Sequence, residues 1–129
     1  YQVSGLSTVA VWDDGKQRFL DIDLSNGSIQ AYEQAGRVAG ATYQLSNDQL
    51  ISLNAILQQA EVCEPVEKTA QQKDIACTMV YVYPYATLVS QNQQTKLGEK
   101  TSGCDIPVDL CDNKSDQLKA WSKALVDSL

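Results

Sequence analysis

Residues 6–33 alternate between apolar and polar positions, the period-two pattern that is typical of half-buried β-strands. Two turn dipeptides interrupt the alternation, Asp14-Gly15 and Asn26-Gly27, and both favour the tight turn of a β-hairpin. We therefore expect two consecutive antiparallel hairpins. With a two-residue loop at Asn26-Gly27, apolar residues face apolar ones and polar residues face polar ones, in the pairs Leu24–Ile29, Ile22–Ala31, Asp23–Gln30 and Asp21–Tyr32.

Two segments, about 46–60 and about 115–128, carry apolar residues at the spacing of an amphipathic helix. Ser46 is the predicted N-cap of the first helix, and Gln49 completes a capping box with it. Ser115 is the predicted N-cap of the second helix. The apolar stripe of the first helix contains Leu50, Ile51, Leu53, Ile56 and Leu57, and that of the second contains Leu118, Trp121, Leu125 and Leu129.

Residues 77–90 are β-prone throughout, and the polar segment after them predicts a turn near Asn92 and a returning strand around 95–102. Connections are predicted at 34–44, with a short strand at 41–45, and at 64–75. The order strands, helix, strands, helix predicts a single α+β domain over residues 1–129. In it, both helices pack on one face of an antiparallel sheet.

The composition is that of a globular domain, with 43% hydrophobic and 20% charged residues in a chain of 129. The net charge of −6 argues against binding to nucleic acid, because phosphate recognition needs clustered Lys and Arg. It also argues against adhesion to anionic membranes. No apolar run approaches the length of a transmembrane span. The oligomeric state is left open.

Four cysteines, an even number, and no histidine indicate disulfides rather than a metal site, because zinc ligands normally occur in closely spaced pairs. Two disulfides place the protein in an oxidising compartment, secreted or periplasmic. The lack of an initiator Met favours removal of a signal peptide. The favoured pairing is the local one, Cys63–Cys77 with Cys104–Cys111, and the main alternative is Cys77–Cys104 with Cys63–Cys111.

The sequence offers little catalytic chemistry. Without histidine, Ser-His-Asp and Cys-His sites are excluded, and no glycine-rich phosphate loop indicates a nucleotide cofactor. Asp21 and Asp23 project to one strand face and are the remaining candidates for acid–base catalysis. The alternative is that they are solvated outer positions of an amphipathic strand, where such residues are common. The segment 21–27 departs from the calcium-loop pattern, so no metal is expected. Asn113-Lys114-Ser115 matches the N-glycosylation sequon.

Cys77-Thr78-Met79-Val80-Tyr81 resembles the reactive-site segment of the subtilisin-inhibitor family, small secreted α+β proteins with two disulfides. The resemblance implies that Met79 fills the primary pocket of the protease and that Val80 follows the scissile bond. Cys77 would anchor the loop, Thr78 would take the place of a proline, and Tyr81 would follow. In that family the loop cysteine bonds to one further along, which implies Cys77–Cys104 in this chain.

The order of elements over residues 20–128 is similar to the emfourin type of metalloprotease inhibitor. Short strands precede the helix at 46–60, a tyrosine-rich strand follows it, and a helix closes the chain. Tyr83 and Tyr85 could form an exposed binding face, because tyrosine is enriched at interfaces, or they could be half-buried sheet residues.

Both resemblances imply inhibition of proteases. We therefore expect a non-catalytic, cofactor-free, protein-binding domain, with a protease as the partner and the segment from Cys77 to Tyr81 as the binding loop. The alternatives are a structural or assembly module of the cell envelope and a hydrolase that uses Asp21 and Asp23.

Overall fold

The computed structural model describes residues 5–58, 60–63, 79–91, 93–103 and 107–129. These residues form ten strands and three helices. The strands are β1 Leu6–Asp13, β2 Arg18–Asp23, β3 Ser28–Tyr32, β4 Val38–Gln44, β5 Val62–Cys63, β6 Met79–Val82, β7 Ala86–Ser90, β8 Gln93–Leu97, β9 Lys100–Ser102 and β10 Asp109–Leu110. The helices are α1 Glu33–Gly36, α2 Asn47–Leu57 and α3 Lys114–Ser128.

The main sheet has six strands in the order β4-β3-β2-β1-β7-β8, and all its neighbouring strands are antiparallel. Along β1 to β3, alternate residues are buried, so one face of the sheet belongs to the core. Buried leucines of α2 and α3 join the same cluster, which confirms the α+β architecture. The core includes Val9, Val11, Leu20, Ile22, Ile29, Leu53, Leu57, Leu88, Leu118 and Leu125.

Both predicted hairpins form, but the two-residue loops are wrong. Residues 14–17 and residues 24–27 make four-residue loops, and Ile22 lies opposite Ile29 rather than Ala31. Aspartates that precede the loops widen them, because the side chain of Asp13 accepts from Lys16 N and that of Asp23 accepts from Ser25 N. The register differs from the predicted one by two residues, so every side chain keeps its predicted face.

The predicted capping box of α2 is confirmed. Ser46 Oγ accepts from Gln49 N at 3.1 Å, and the Gln49 side chain accepts from Ser46 N at 2.9 Å. The helix ends at Leu57 rather than near residue 60, and Ile51 is 65% exposed instead of widening the apolar stripe. Ser115 is not the N-cap of α3. The helix begins at Lys114 after Asn113, because Gln117 N already donates to the Asn113 carbonyl.

Two predicted strands are each broken into two. The β-prone stretch 77–90 breaks at Tyr83-Pro84 between β6 and β7, because proline cannot donate to a ladder. The predicted strand at 95–102 breaks at Gly98, whose φ of +78° suits glycine, and a Cβ there would lie 2.9 Å from the Tyr85 ring. β7 and β8 therefore continue the main sheet, while β6 and β9 pair separately.

A disulfide joins Cys63 to Cys111, so the favoured local pairing is wrong. The physical reason is the backbone pairing of β5 with β10, which sets Cys63 opposite Asp109 and lets Cys111 N donate to the Glu61 carbonyl at 2.8 Å. The other two cysteines, Cys77 and Cys104, lie outside the described residues, as does the predicted polar loop at 64–75.

Candidate functional site

Strands β6 and β9, residues 79–82 and 100–102, form a separate two-stranded ribbon. Every residue of β6 is exposed: Met79 by 86%, Val80 by 40%, Tyr81 by 54% and Val82 by 41%. Four consecutive exposed apolar or aromatic residues are unusual on a monomeric protein, and contiguous patches of this kind mark interaction sites.

The outer edge of β6 has no partner strand among the described residues. β6 pairs with β9, Met79 lying opposite Ser102 and Val82 opposite Lys100, and within the described part of the chain no other strand pairs with β6. An extended chain can add as a further strand at an unpaired strand edge of this kind.

An aromatic cluster supports the base of the ribbon. The Tyr83 ring stacks on Trp12 with centroids 4.1 Å apart, and Trp12 in turn contacts Phe19 at 4.6 Å. Tyr81 meets Tyr83 edge-on at 4.9 Å. Aromatic pairs of this geometry contribute about 0.5–1.5 kcal/mol each beyond their burial, so the ribbon is attached to the sheet by side chains as well as by the backbone.

A hydrogen bond fixes Tyr81 on the ribbon. Its hydroxyl donates to Glu99 Oε2 at 2.8 Å, and this bond raises the pKa of Tyr81 to about 12. Glu99 also lies 3.8 Å from the Lys96 ammonium. Glu99 was not predicted as a site residue. It lies 18 positions from Tyr81 in the sequence, and the two residues meet only because the chain breaks at Gly98 and β6 pairs with β9.

The structure divides the predicted site residues into three groups. Met79, Val80 and Tyr81 lie together on the exposed strand, whereas Cys77 and Thr78 lie outside the described residues. Tyr83 is half-buried in the aromatic cluster. Tyr85 is half-buried too: its hydroxyl donates to the Asp109 carboxylate, and burial raises the pKa of Tyr85 well above its ordinary value.

Asp21 and Asp23 lie on the sheet face opposite the core, as predicted for alternate residues of one strand. Burial raises the pKa of Asp21. The pKa of Asp23 is lowered, because the Ser25 hydroxyl and backbone N–H both donate to its carboxylate, at 2.6 and 2.8 Å. Asp23 therefore stabilises its own turn, and the two donors of Ser25 compete with any substrate for its Oδ1 atom.

These opposite shifts predict opposite pH dependences of stability. The folded state holds the Asp21 proton more tightly than the unfolded state, so the free energy of unfolding falls as the pH rises through the window above 3.8. Asp23 stabilises the fold above that value, and this stabilisation is lost as the pH falls through its lowered pKa. Asp21→Asn should therefore gain stability over wild type as the pH rises from about 3 to about 6, and Asp23→Asn should lose it.

Urea denaturation of wild type and both variants across this pH range measures the difference. If the stability difference between each variant and wild type does not change with pH, neither carboxylate has a different pKa in the folded and the unfolded state.

In the ranges that the structure describes, no group of histidine, cysteine or acidic residues is arranged to hold a metal ion. None of the described helices is long and apolar enough to cross a membrane. No known family model matches this chain, and no curated protein or solved structure matches it either, so the resemblances inferred from the sequence stay predictions.

Proposed function

We propose that this chain is a secreted or periplasmic protein-binding domain without catalysis of its own, and that the ribbon binds the partner. The observation that carries the proposal is the unbroken exposure of Met79 to Val82 on a strand that has a partner on only one edge in the described part of the chain. Burial of apolar surface contributes about 25 cal/mol per Å², so a partner that covers these side chains gains free energy that folding leaves unused.

The partner that suits this arrangement best is a protease. Proteases bind their substrates as extended strands, and β6 presents an extended backbone with an 86% exposed Met79 side chain that can enter an apolar specificity pocket. The strand is held beforehand by its pairing with β9 and by the bond from Tyr81 to Glu99. A segment ordered in advance loses less conformational entropy on binding, which favours a tight inhibitor over a flexible substrate.

A second disulfide, Cys77–Cys104, would complete this support, and it is part of the proposal. Cys63 and Cys111 are already joined, so only these two cysteines remain. Cys77 precedes Met79 by two positions and Cys104 follows Ser102 by two, and Met79 pairs with Ser102. Two disulfides also fit an oxidising compartment.

Titration of the protein against subtilisin-like, trypsin-like and thermolysin-like proteases tests the proposal. At least one of them should be slowed at micromolar concentrations. Met79→Asp should then weaken inhibition by about 100-fold or more, because a carboxylate cannot enter an apolar pocket without losing its hydration. Ile51→Asp is the matched control, since Ile51 is a similarly exposed apolar residue on α2.

If none of the three protease classes is slowed, inhibition is the wrong function. If inhibition occurs but Met79→Asp inhibits as well as Ile51→Asp, the inhibitor function stands and the ribbon is not its site. The envelope module and the carboxylate hydrolase stay predictions from the sequence.

A further inference from the structure

A cavity of about 230 Å³ lies where α3 meets the beginning of the β7 region of the sheet. Four of its lining residues come from α3 and recur at the spacing of a single helix face. Two aromatic residues from the sheet side complete the wall. The lining consists of Trp12, Tyr85, Lys119, Ser122, Lys123 and Val126.

Ser122 carries the first clue to a ligand. The residue is only 6% exposed, and its hydroxyl has no hydrogen-bond partner among the described residues. A buried hydroxyl without a partner costs free energy, and nearly all such groups in native proteins are satisfied. A serine in the wall of a cavity can recover this loss by donating to an acceptor on a bound molecule.

The two lysines of the wall differ in what they already contact. Lys119 lies 3.5 Å from Asp109 Oδ2 and 5.2 Å above the Tyr85 ring, so its charge is compensated within the protein. Lys123 forms no ion pair in the part of the chain that the structure describes. The lining therefore contains one lysine without an ion pair and one hydroxyl without a hydrogen-bond partner among the described residues.

We propose that this cavity binds a small carboxylate with an apolar body. The carboxylate accepts from the Ser122 hydroxyl and pairs with the Lys123 ammonium, while the body lies between Trp12, Tyr85 and Val126. The volume equals that of roughly eight liquid water molecules, so the fitting ligands have the size of benzoate or hexanoate. The inference does not depend on the proposed protein-binding function, because none of the ribbon residues lines the cavity.

Benzoate and hexanoate, with their neutral amides benzamide and hexanamide, are suitable probes. In the variant Trp121→Phe the indole of Trp12 is the only one in the chain, so its fluorescence and its indole N–H resonance report directly on the cavity. Each carboxylate should shift both signals saturably below about 10 mM and bind at least about tenfold more tightly than its amide.

Two substitutions test the head-group contacts. Lys123→Gln should remove the preference for carboxylate over amide, and Ser122→Ala should weaken carboxylate binding by about tenfold. Lys114→Gln is the control, because this lysine of α3 does not line the cavity, and it should leave binding unchanged. Far-ultraviolet circular dichroism and thermal unfolding establish that each variant is folded. Lys123 is exposed, and its substitution leaves the core intact.

The proposal is overturned if no probe moves the Trp12 signals at about 10 mM. It is also overturned if the amides bind as tightly as the acids, or if Lys123→Gln and Lys114→Gln behave alike. These binding measurements involve no protease, so the cavity proposal and the proposed inhibition can fail separately.

Discussion

Replacing Asp13 with alanine should lower the free energy of unfolding by about 3–5 kcal/mol. Asp13 Oδ2 accepts from Arg18 Nε at 3.0 Å, and both side chains are only 3% exposed. The Arg18 guanidinium also donates to the Tyr43 hydroxyl at 3.1 Å and to Glu33 at 3.4 Å. Its second terminal nitrogen has no partner among the described residues.

The loss is large because the arginine charge stays buried when its main partner is removed. Glu33 is the other carboxylate in contact, but its side chain is 37% exposed and the contact is longer, so solvent screens it. Removal of one member of a buried pair costs more than the pair itself contributes, since the desolvated charge is left uncompensated.

Urea denaturation of Asp13→Ala measures the effect, and Asp127→Ala serves as the control because Asp127 is exposed on α3. The control should change stability by no more than about 0.5 kcal/mol. The double variant Asp13→Leu/Arg18→Met should recover most of the loss, because apolar residues can replace a buried ion pair at little cost. A fall of less than about 1 kcal/mol for Asp13→Ala would contradict the assignment of Arg18 as a buried charge.

Removing the disulfide Cys63–Cys111 should destabilise the fold by about 4 kcal/mol. The two cysteines are 48 residues apart, so the bond removes many conformations of the unfolded chain. The bond also supports β5 and β10, which pair with each other at only two positions and cannot be held by backbone hydrogen bonds alone.

The variant Cys63→Ala/Cys111→Ala, compared with wild type by urea and thermal unfolding, measures this contribution. Peptide mapping of the oxidised protein without reduction establishes the pairing and at the same time tests Cys77–Cys104. A map that links Cys63 to Cys77 would contradict both the observed disulfide and the proposed one.

Local patterns predicted the parts of the fold that depend on neighbours in sequence. The capping box at Ser46 and Gln49 involves residues three positions apart, and the alternation in β2 determines which side chains enter the core. The predicted register of the second hairpin was wrong because Asn26-Gly27 suggests a tighter turn than the one Asp23 stabilises with its side chain. Where a side-chain bond competes with a turn preference, composition alone does not determine the result.

The candidate site was predicted in part. Met79 to Tyr81 were chosen by resemblance, and the structure places them together on one exposed strand. The support below them, Trp12 and Glu99, was not foreseen, since these residues come from distant strands that meet only in the folded chain. The cavity at Ser122 was missed for the same reason: the sequence places this serine on a helix face but cannot show that its hydroxyl lacks a partner.

The breaks at Pro84 and Gly98 separate two tasks within one long hairpin. β7 and β8 supply buried residues such as Leu88 and Leu97 to the core, whereas β6 supplies none. Substitutions in β6 therefore alter the exposed surface at which we propose that a partner binds, and they leave the folding core unaltered. Under selection, this strand can diverge quickly while the scaffold stays constant, and in the laboratory it is the position at which a foreign recognition sequence can be grafted.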